Sequence, residues 1–238
     1  IVKNELGEEE IRFGLYTIKN LGVEISDAII AEREKNGPYT SFENFITRIT
    51  HKNLNKKSIE ALAMCGALDD FAERNAVIQN MEAILDYHHQ LTKDNAGQDS
   101  LFGIIEAPKF TLRKVPPADN TTKLEWEKDL LGLYISGFPL DPWKEKILAR
   151  GIDIRTIQDA IKDNTEVTIG VLIENVKVTK TRKGDAMALV TIRDYSSAFE
   201  IAVFPESYEK YKSLIKKDTT VIIKGKVASR NGDKTLVL

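Results

Sequence analysis

The side chains able to hold a metal, move a proton or attack a substrate are few in this chain, and their spacing keeps them apart. Asp69 and Asp70 are adjacent, just after a Gly turn, and read as a charge pair at a helix start. Two-metal phosphoryl transfer needs several carboxylates converging on ions about 3.5–4 Å apart. His88 and His89 are consecutive, so on a helix they diverge, and His51 and Cys65 stand alone. No catalytic residue, metal site or cofactor is therefore expected within the chain. Recognition chemistry is better represented. Gln98-Asp99-Ser100-Leu101-Phe102 puts an amide at a fixed distance from two adjacent large apolar side chains, between the polar run Thr92–Gly97 and Pro108. Such a segment cannot bury its own apolar groups, and it suits a peptide that fills a pocket on another protein. The plainer alternative is a loop that tucks Leu101 and Phe102 back onto its own domain.

A second chemistry is phosphate binding. Ile18-x-x-Leu21-Gly22-Val23 and Ile59-x-x-Leu62 followed by Gly66-Ala67-Leu68 each read as a helix that turns at a Gly into another helix. Lacking Cβ, Gly lets the amides of a helix N-terminus approach a phosphate without reading any base. That logic makes Lys19, Asn20 and Gly22, and Lys56, Lys57 and Gly66, candidates for holding duplex DNA. Glu24 opposes it at the first turn by like-charge repulsion. Plain Gly caps that bind nothing are the alternative at both. Further on, Lys180, Arg182, Lys183, Arg193 and Lys226 supply charge for a single strand, with Phe199 as either a stacking platform or a core residue.

These groups need elements to place them. Residues 1–92 read as helices: Glu8 to Lys19, a second capped by Ser26, a third opened by the capping-box spacing Thr40-Ser41-Phe42-Glu43, a fourth over Asn55 to Met64, and a long one carrying Val77, Met81, Ile84, Leu85, His88 and Leu91. Residues 93–122 form a linker that holds the pentapeptide, stiffened by Pro108 and Pro116-Pro117. Residues 123–164 return to helix as a connector. From Thr165 the apolar period becomes two, through Val167, Ile169, Val171 and Ile173. It then slips so that Val176 and Val178 continue it, which implies a bulge. Three strands, a short helix over Glu206 to Ile215 and two more strands make 165–238 a five-stranded OB-fold barrel. The fold class is thus multi-domain, α then β: an all-α tandem helix-hairpin-helix domain, a helical connector and a C-terminal barrel.

Composition fits this plan. The chain has 238 residues, 42% hydrophobic and 29% charged, within the range of globular protein, and no apolar run is long enough to span a membrane. It begins at Ile1 rather than Met and shows no signal peptide, as expected of a piece of a longer protein. One Cys excludes an internal disulfide and suits a reducing cytoplasm. The net charge of -2 hides an asymmetry, because Thr165 onward carries thirteen Lys/Arg against nine Asp/Glu. Only the barrel has the electrostatics of a phosphate-binding surface.

Taken together, the tandem Gly turns, the Gln-x-x-Leu-Phe linker, the run Trp126-Glu127-Lys128-Asp129-Leu130-Leu131-Gly132-Leu133-Tyr134-Ile135-Ser136-Gly137-Phe138-Pro139-Leu140-Asp141 and the barrel resemble the C-terminal half of bacterial replicative DNA polymerase III alpha subunits, the C-family polymerases. Lys183-Gly184-Asp185 to Asp194 and Phe199-Glu200 to Phe204-Pro205-Glu206 add to the likeness, which covers essentially the whole chain. The resemblance implies that Gln98 to Phe102 bind the sliding clamp (the beta subunit), that the Gly22 and Gly66 turns hold new duplex, and that the barrel meets single-stranded template. It also implies a Mg²⁺-dependent nucleotidyltransferase centre located before Ile1, and leaves room for other replisome subunits as partners. Phe138 stands where the family commonly has His, a position that reads as packing. The rival expectation is an interaction scaffold whose barrel recognises protein.

Overall fold

The computed structural model describes residues 2–3, 9–10, 13–94, 110–230 and 233–238. The chain divides into two compact units, Ile1–Gly137 and Phe138–Leu238.

In the first unit, β1 (Val2–Lys3) pairs antiparallel with β2 (Glu9–Glu10). Among the described residues the helix expected over Glu8 to Lys19 is not formed: Glu9–Glu10 is strand, and a single 3-10 turn, Leu15–Thr17, precedes Gly22. Asn20, at φ 69, then reverses the chain into α1 (Val23–Asn36). This helix starts earlier than the Ser26 cap would place it. Ser26 is buried inside α1, its hydroxyl donating to the Gly22 carbonyl at 2.9 Å. Next come α2 (Phe42–Arg48) and α3 (Lys56–Met64). The α2 cap is Ser41 rather than Thr40, and its side chain accepts from the Asn44 amide. The long helix expected around Val77 to Leu91 is two, α4 (Arg74–Gln79) and α5 (Met81–Asp94). They part at Asn80, whose amide group donates to Ala76 O at 2.7 Å and Arg113 O at 3.0 Å, and accepts from Arg113 N at 2.9 Å.

Those last bonds belong to a strap. Residues 110–118 lie along the helices, held by side chains that satisfy their backbone. Phe110 N donates to Glu43 at 3.1 Å, Asn75 donates to Pro116 O at 2.8 Å, and Ala118 N donates to Glu73 at 3.0 Å. Phe110 also stacks on Tyr87, ring centroids 4.9 Å apart. The second half of the expected linker is thereby part of the helical unit. α6 (Asn120–Leu131), capped by Asp119, follows and buries Leu124, Glu127 and Leu130. The core joins Ile25, Phe45, Ile46, Ile59, Leu62 and Ile84, each at most 2% exposed. A buried side chain of this size contributes roughly 1.5–3 kcal/mol.

In the second unit, a 3-10 turn (Asp141–Trp143) leads to α7 (Lys144–Leu148) and α8 (Ile154–Asp159). The barrel comprises β3 (Glu166–Lys180), β4 (Ala186–Arg193), β5 (Ala198–Val203), β6 (Thr219–Arg230) and β7 (Asp233–Val237), with α9 (Pro205–Tyr211) between β5 and β6. Its order is β3-β4-β5-β7-β6, closed, with β5 and β7 parallel through Ala202 and Val237. This is the five-stranded OB-fold. Long β3 can serve both β6 and β4 because its register shifts between Ile173 and Asn175. Before the bulge Val167, Ile169, Val171 and Ile173 point inward; after it Val176 packs on the core. Val178, though opposite buried Ala188, is 57% exposed.

Candidate nucleic-acid interface

The two Gly turns differ. Gly22 is the N-cap of α1, exposed, with no side chain capping the helix and nothing within 4 Å of where a Cβ would stand. The first amides of α1 lack intrahelical partners and carry the positive end of the helix dipole. Lys19 and Asn20 are exposed just before it. Glu24 is turned aside, accepting from Asn53 Nδ2 at 2.6 Å. That bond also links the start of α1 to the turn before α3, where Lys56 and Lys57 are exposed. Lys56 has only a loose ion pair with Glu60, at 3.8 Å.

Gly66, at φ +83, faces the Arg74 guanidinium: a Cβ there would lie 2.5 Å from Nη2. Arg74 is 3% exposed and binds Asp69 at 2.7 Å and Glu127 at 2.9 Å, and donates to Met64 O at 3.1 Å. The space beside this turn is thus filled by a protein cation, and the Gly66 and Ala67 amides are already bonded, to Ala63 O at 3.1 Å and Leu62 O at 3.0 Å. Gly66 also follows the C-terminus of α3, about 13 Å along the helix from Lys57. The sequence grouping of Lys56, Lys57 and Gly66 is therefore not a spatial one; the two lysines open α3 just after Asn53, which bonds Glu24 near the start of α1.

Glu127 is fully buried. Its second oxygen accepts from the amides of Ile135 (2.6 Å) and Ser136 (3.0 Å). Burial alone would push its pKa up. The Ile135 and Ser136 hydrogen bonds and Arg74 outweigh that and hold the carboxyl below the usual carboxylate range. The network ties α3, α4 and α6 to the Leu133–Ser136 segment. Nothing in local spacing marked Arg74 or Glu127 as partners.

The remaining groups with chemical potential are structural. His88 donates a ring N–H to Ile49 O, 2.8 Å away, and burial raises the Cys65 thiol pKa, which keeps it a poor nucleophile. Among the described residues no group of three or more His, Cys, Asp or Glu could hold a metal ion. No helix there is long and apolar enough to cross a membrane.

On the barrel, the pairing registers line up Lys177, Leu189, Ala202, Val237 and Lys226 across β3, β4, β5, β7 and β6. All five lie at least partly open to solvent, so an apolar strip runs between two lysines. Lys180, Arg182 and Lys183 are exposed at the β3–β4 turn, which closes through Thr181 N to Asp185 O at 2.8 Å. Arg193 is half taken, its Nε donating to Glu174 at 2.6 Å. Phe199 needs correction as a stacking platform: it lies opposite fully buried Ile192 and packs on the barrel core, away from the outward row. Lys177, Leu189 and Val237 are outward residues that local sequence did not single out. Inward/outward parity could have found them once the bulge was placed.

Gln98, Asp99, Ser100, Leu101 and Phe102 lie outside the described residues.

A helical unit with an open, Gly-capped helix start, followed by an OB-fold barrel with a basic outer face, defines a DNA-binding module. Comparison with known families agrees: residues 2–77 match the helix-hairpin-helix motif, and 167–238 match the OB-fold nucleic acid binding domain. Over 94% of its length the chain is 37% identical to the DNA polymerase III subunit alpha of Borreliella burgdorferi, and over 92% it is 36% identical to that of Aquifex aeolicus. The Thermus aquaticus subunit is 31% identical over 97% of the chain. The chain is a homologue of one segment of the DNA polymerase III alpha subunits, spanning 20% of the Borreliella protein, 18% of the Aquifex protein and 19% of the Thermus protein.

Proposed function

We propose that this chain is the DNA-holding and processivity segment of a DNA polymerase III alpha subunit in the bacterial cytoplasm. Duplex DNA binds at the start of α1, single-stranded template on the outer face of the barrel, and the sliding clamp at Gln98 to Phe102. The observation that carries the duplex part is the open Gly22 end, with uncapped amides beside exposed Lys19 and Asn20, and with the Glu24–Asn53 bond linking it to the turn that leads to Lys56 and Lys57. For the single strand, support comes from the apolar strip between Lys177 and Lys226 and from the basic β3–β4 turn. For the clamp, support is the pentapeptide together with the similarity to alpha subunits. Other replisome subunits remain candidate partners through the rest of the parent protein. Nucleotidyl transfer with Mg²⁺ belongs to other parts of that parent protein.

Each limb has its own test. Replacing both Leu101 and Phe102 with Ala abolishes binding to an immobilised clamp and leaves DNA affinity unchanged; undiminished clamp binding removes that limb. Removing Lys180, Arg182 and Lys183 lowers the salt dependence of single-strand binding by roughly 0.7 in log–log slope for each phosphate no longer neutralised. An unaltered slope, or no binding of the chain to oligo-dT at low salt, leaves the protein-recognising scaffold as the better reading.

A further inference from the structure

The barrel has a second concave surface, separate from the outward row. Below α9 the closing helix leaves a hollow of about 420 Å³ whose floor is barrel core, Ile173, Val190, Ile201 and Val203. Its mouth is also apolar: Ile222 is 69%, Leu214 57% and Tyr211 43% exposed. None of Lys177, Leu189, Ala202, Val237 or Lys226 lines it. Large aliphatic groups left open around a concave apolar site mark an interaction surface more often than chance exposure does.

Charge identifies the partner. Lys210 and Lys224 stand in the wall, Lys224 already paired with Glu166 outside it at 2.7 Å, and Glu206 is the wall's one acid among the described residues. From Pro205 to Lys224 the chain carries five Lys against three acidic residues. Two of those acids are matched to lysines already, Glu209 to Lys212 at 2.6 Å and Asp218 to Lys217 at 3.8 Å. A second copy of the chain would bring two basic rims together, which repel. Bases stack on aromatic faces, whereas this hollow is mostly Ile, Leu and Val, a lining that accepts aliphatic or aromatic side chains end-on. We propose that the hollow beneath α9 docks an acidic, apolar-studded peptide segment of another protein. Its apolar side chains enter between Leu214 and Ile222, and its carboxylates meet Lys210.

This goes beyond DNA holding, and its failure would leave that reading intact. The test pans a random twelve-residue phage-displayed peptide library on the 238-residue chain. Enriched peptides are then measured by fluorescence polarisation against wild type, Leu214→Ser, Ile222→Ser and Lys210→Gln. The expected result is enrichment of Asp/Glu with Leu, Ile or Phe. Affinity falls about tenfold in either apolar variant, as expected when one aliphatic side chain is no longer buried, and about threefold in Lys210→Gln, with weakening in salt. Leu214 and Ile222 are exposed, so these variants keep the wild-type melting temperature, and Lys210→Gln tests the site without touching its packing. No enrichment, enrichment of peptides without acids, or equal affinity for all variants overturns the proposal. So does displacement of the peptide by oligo-dT accompanied by equal loss of oligo-dT binding in the variants, which would make the hollow a nucleic-acid surface.

Discussion

Glu127→Ala should destabilise the helical unit far more than a surface change does. The carboxylate is fully buried, pairs with Arg74 at 2.9 Å, and accepts from two backbone amides. Its removal leaves a guanidinium that is 3% exposed with Asp69 and Met64 O as its partners, and strips the amides of Ile135 and Ser136 of their acceptor. Breaking a buried pair on one side costs about 3–5 kcal/mol. Each kcal/mol moves the melting temperature of a domain this size by about 4 °C, so a fall of about 12–20 °C is expected. The chain has two Trp, Trp126 and Trp143. In a Trp143→Phe background the fluorescence of Trp126, on α6 beside Glu127, follows the helical unit alone. Replacing Arg74 and Glu127 together with Met removes the lone charge and should recover at least about 2 kcal/mol relative to Glu127→Ala. The reasoning fails if Glu127→Ala melts within about 2 °C of its parent, or if the double variant is no more stable than the single one. The pH dependence has a definite sign. Because folding lowers the Glu127 pKa, its contribution is present above the unfolded carboxyl value, about 4.3, and is lost as pH falls through the lower folded one. Glu127→Ala should flatten the acid limb of the stability profile.

The two glycines should separate in the same denaturation assay. Gly66→Ala puts a Cβ 2.5 Å from Arg74 and forces Ala to φ +83, costing about 1–3 kcal/mol. Gly22→Ala meets nothing and costs at most about 1 kcal/mol as a weaker cap, while reducing duplex affinity in a fluorescence anisotropy titration; the reverse ranking would show the turns misassigned. In the barrel unit, Tyr195 donates to Asp141 at 2.8 Å, and burial together with that bond and its charge raises the phenol pKa well above the ordinary tyrosine value. Its contribution is therefore present below pH of about 10 and lost as pH rises through the folded value. Tyr195→Phe should cost about 1 kcal/mol at neutral pH, and in Asp141→Asn the Tyr195 absorbance titration should move down toward the ordinary value. An unmoved titration would separate the phenol from Asp141.

Much of the barrel follows from local spacing, because alternation of apolar residues along a strand is set by backbone geometry alone. The succession of strands along the chain and the slip near Ile173 come from that period, and the helix between β5 and β6 falls where the period stops. Helix ends were less legible. Ser26 has the chemistry of a cap, yet Gly22 caps α1, since Asn20 reverses the chain there and Ser26 can bond backward within the helix. The break at Asn80 comes from Arg113, 33 residues away in sequence, whose backbone needs the Asn amide. Phe199 could not be assigned a face from parity until β4 fixed its register opposite Ile192.

The same distinction governs the candidate sites. Residue types and local turns single out the Gln98–Phe102 pentapeptide as a candidate for docking, along with the Gly turns and the basic stretch, for these depend on neighbours a few positions apart. Which Gly turn stands open was settled by Arg74 reaching Glu127, 53 residues away, and filling the space beside Gly66. The outward row of the barrel and the hollow below α9 are likewise products of strand closure. They bring together side chains that no local period relates, and in a packed fold such long-range neighbours decide which surfaces remain free.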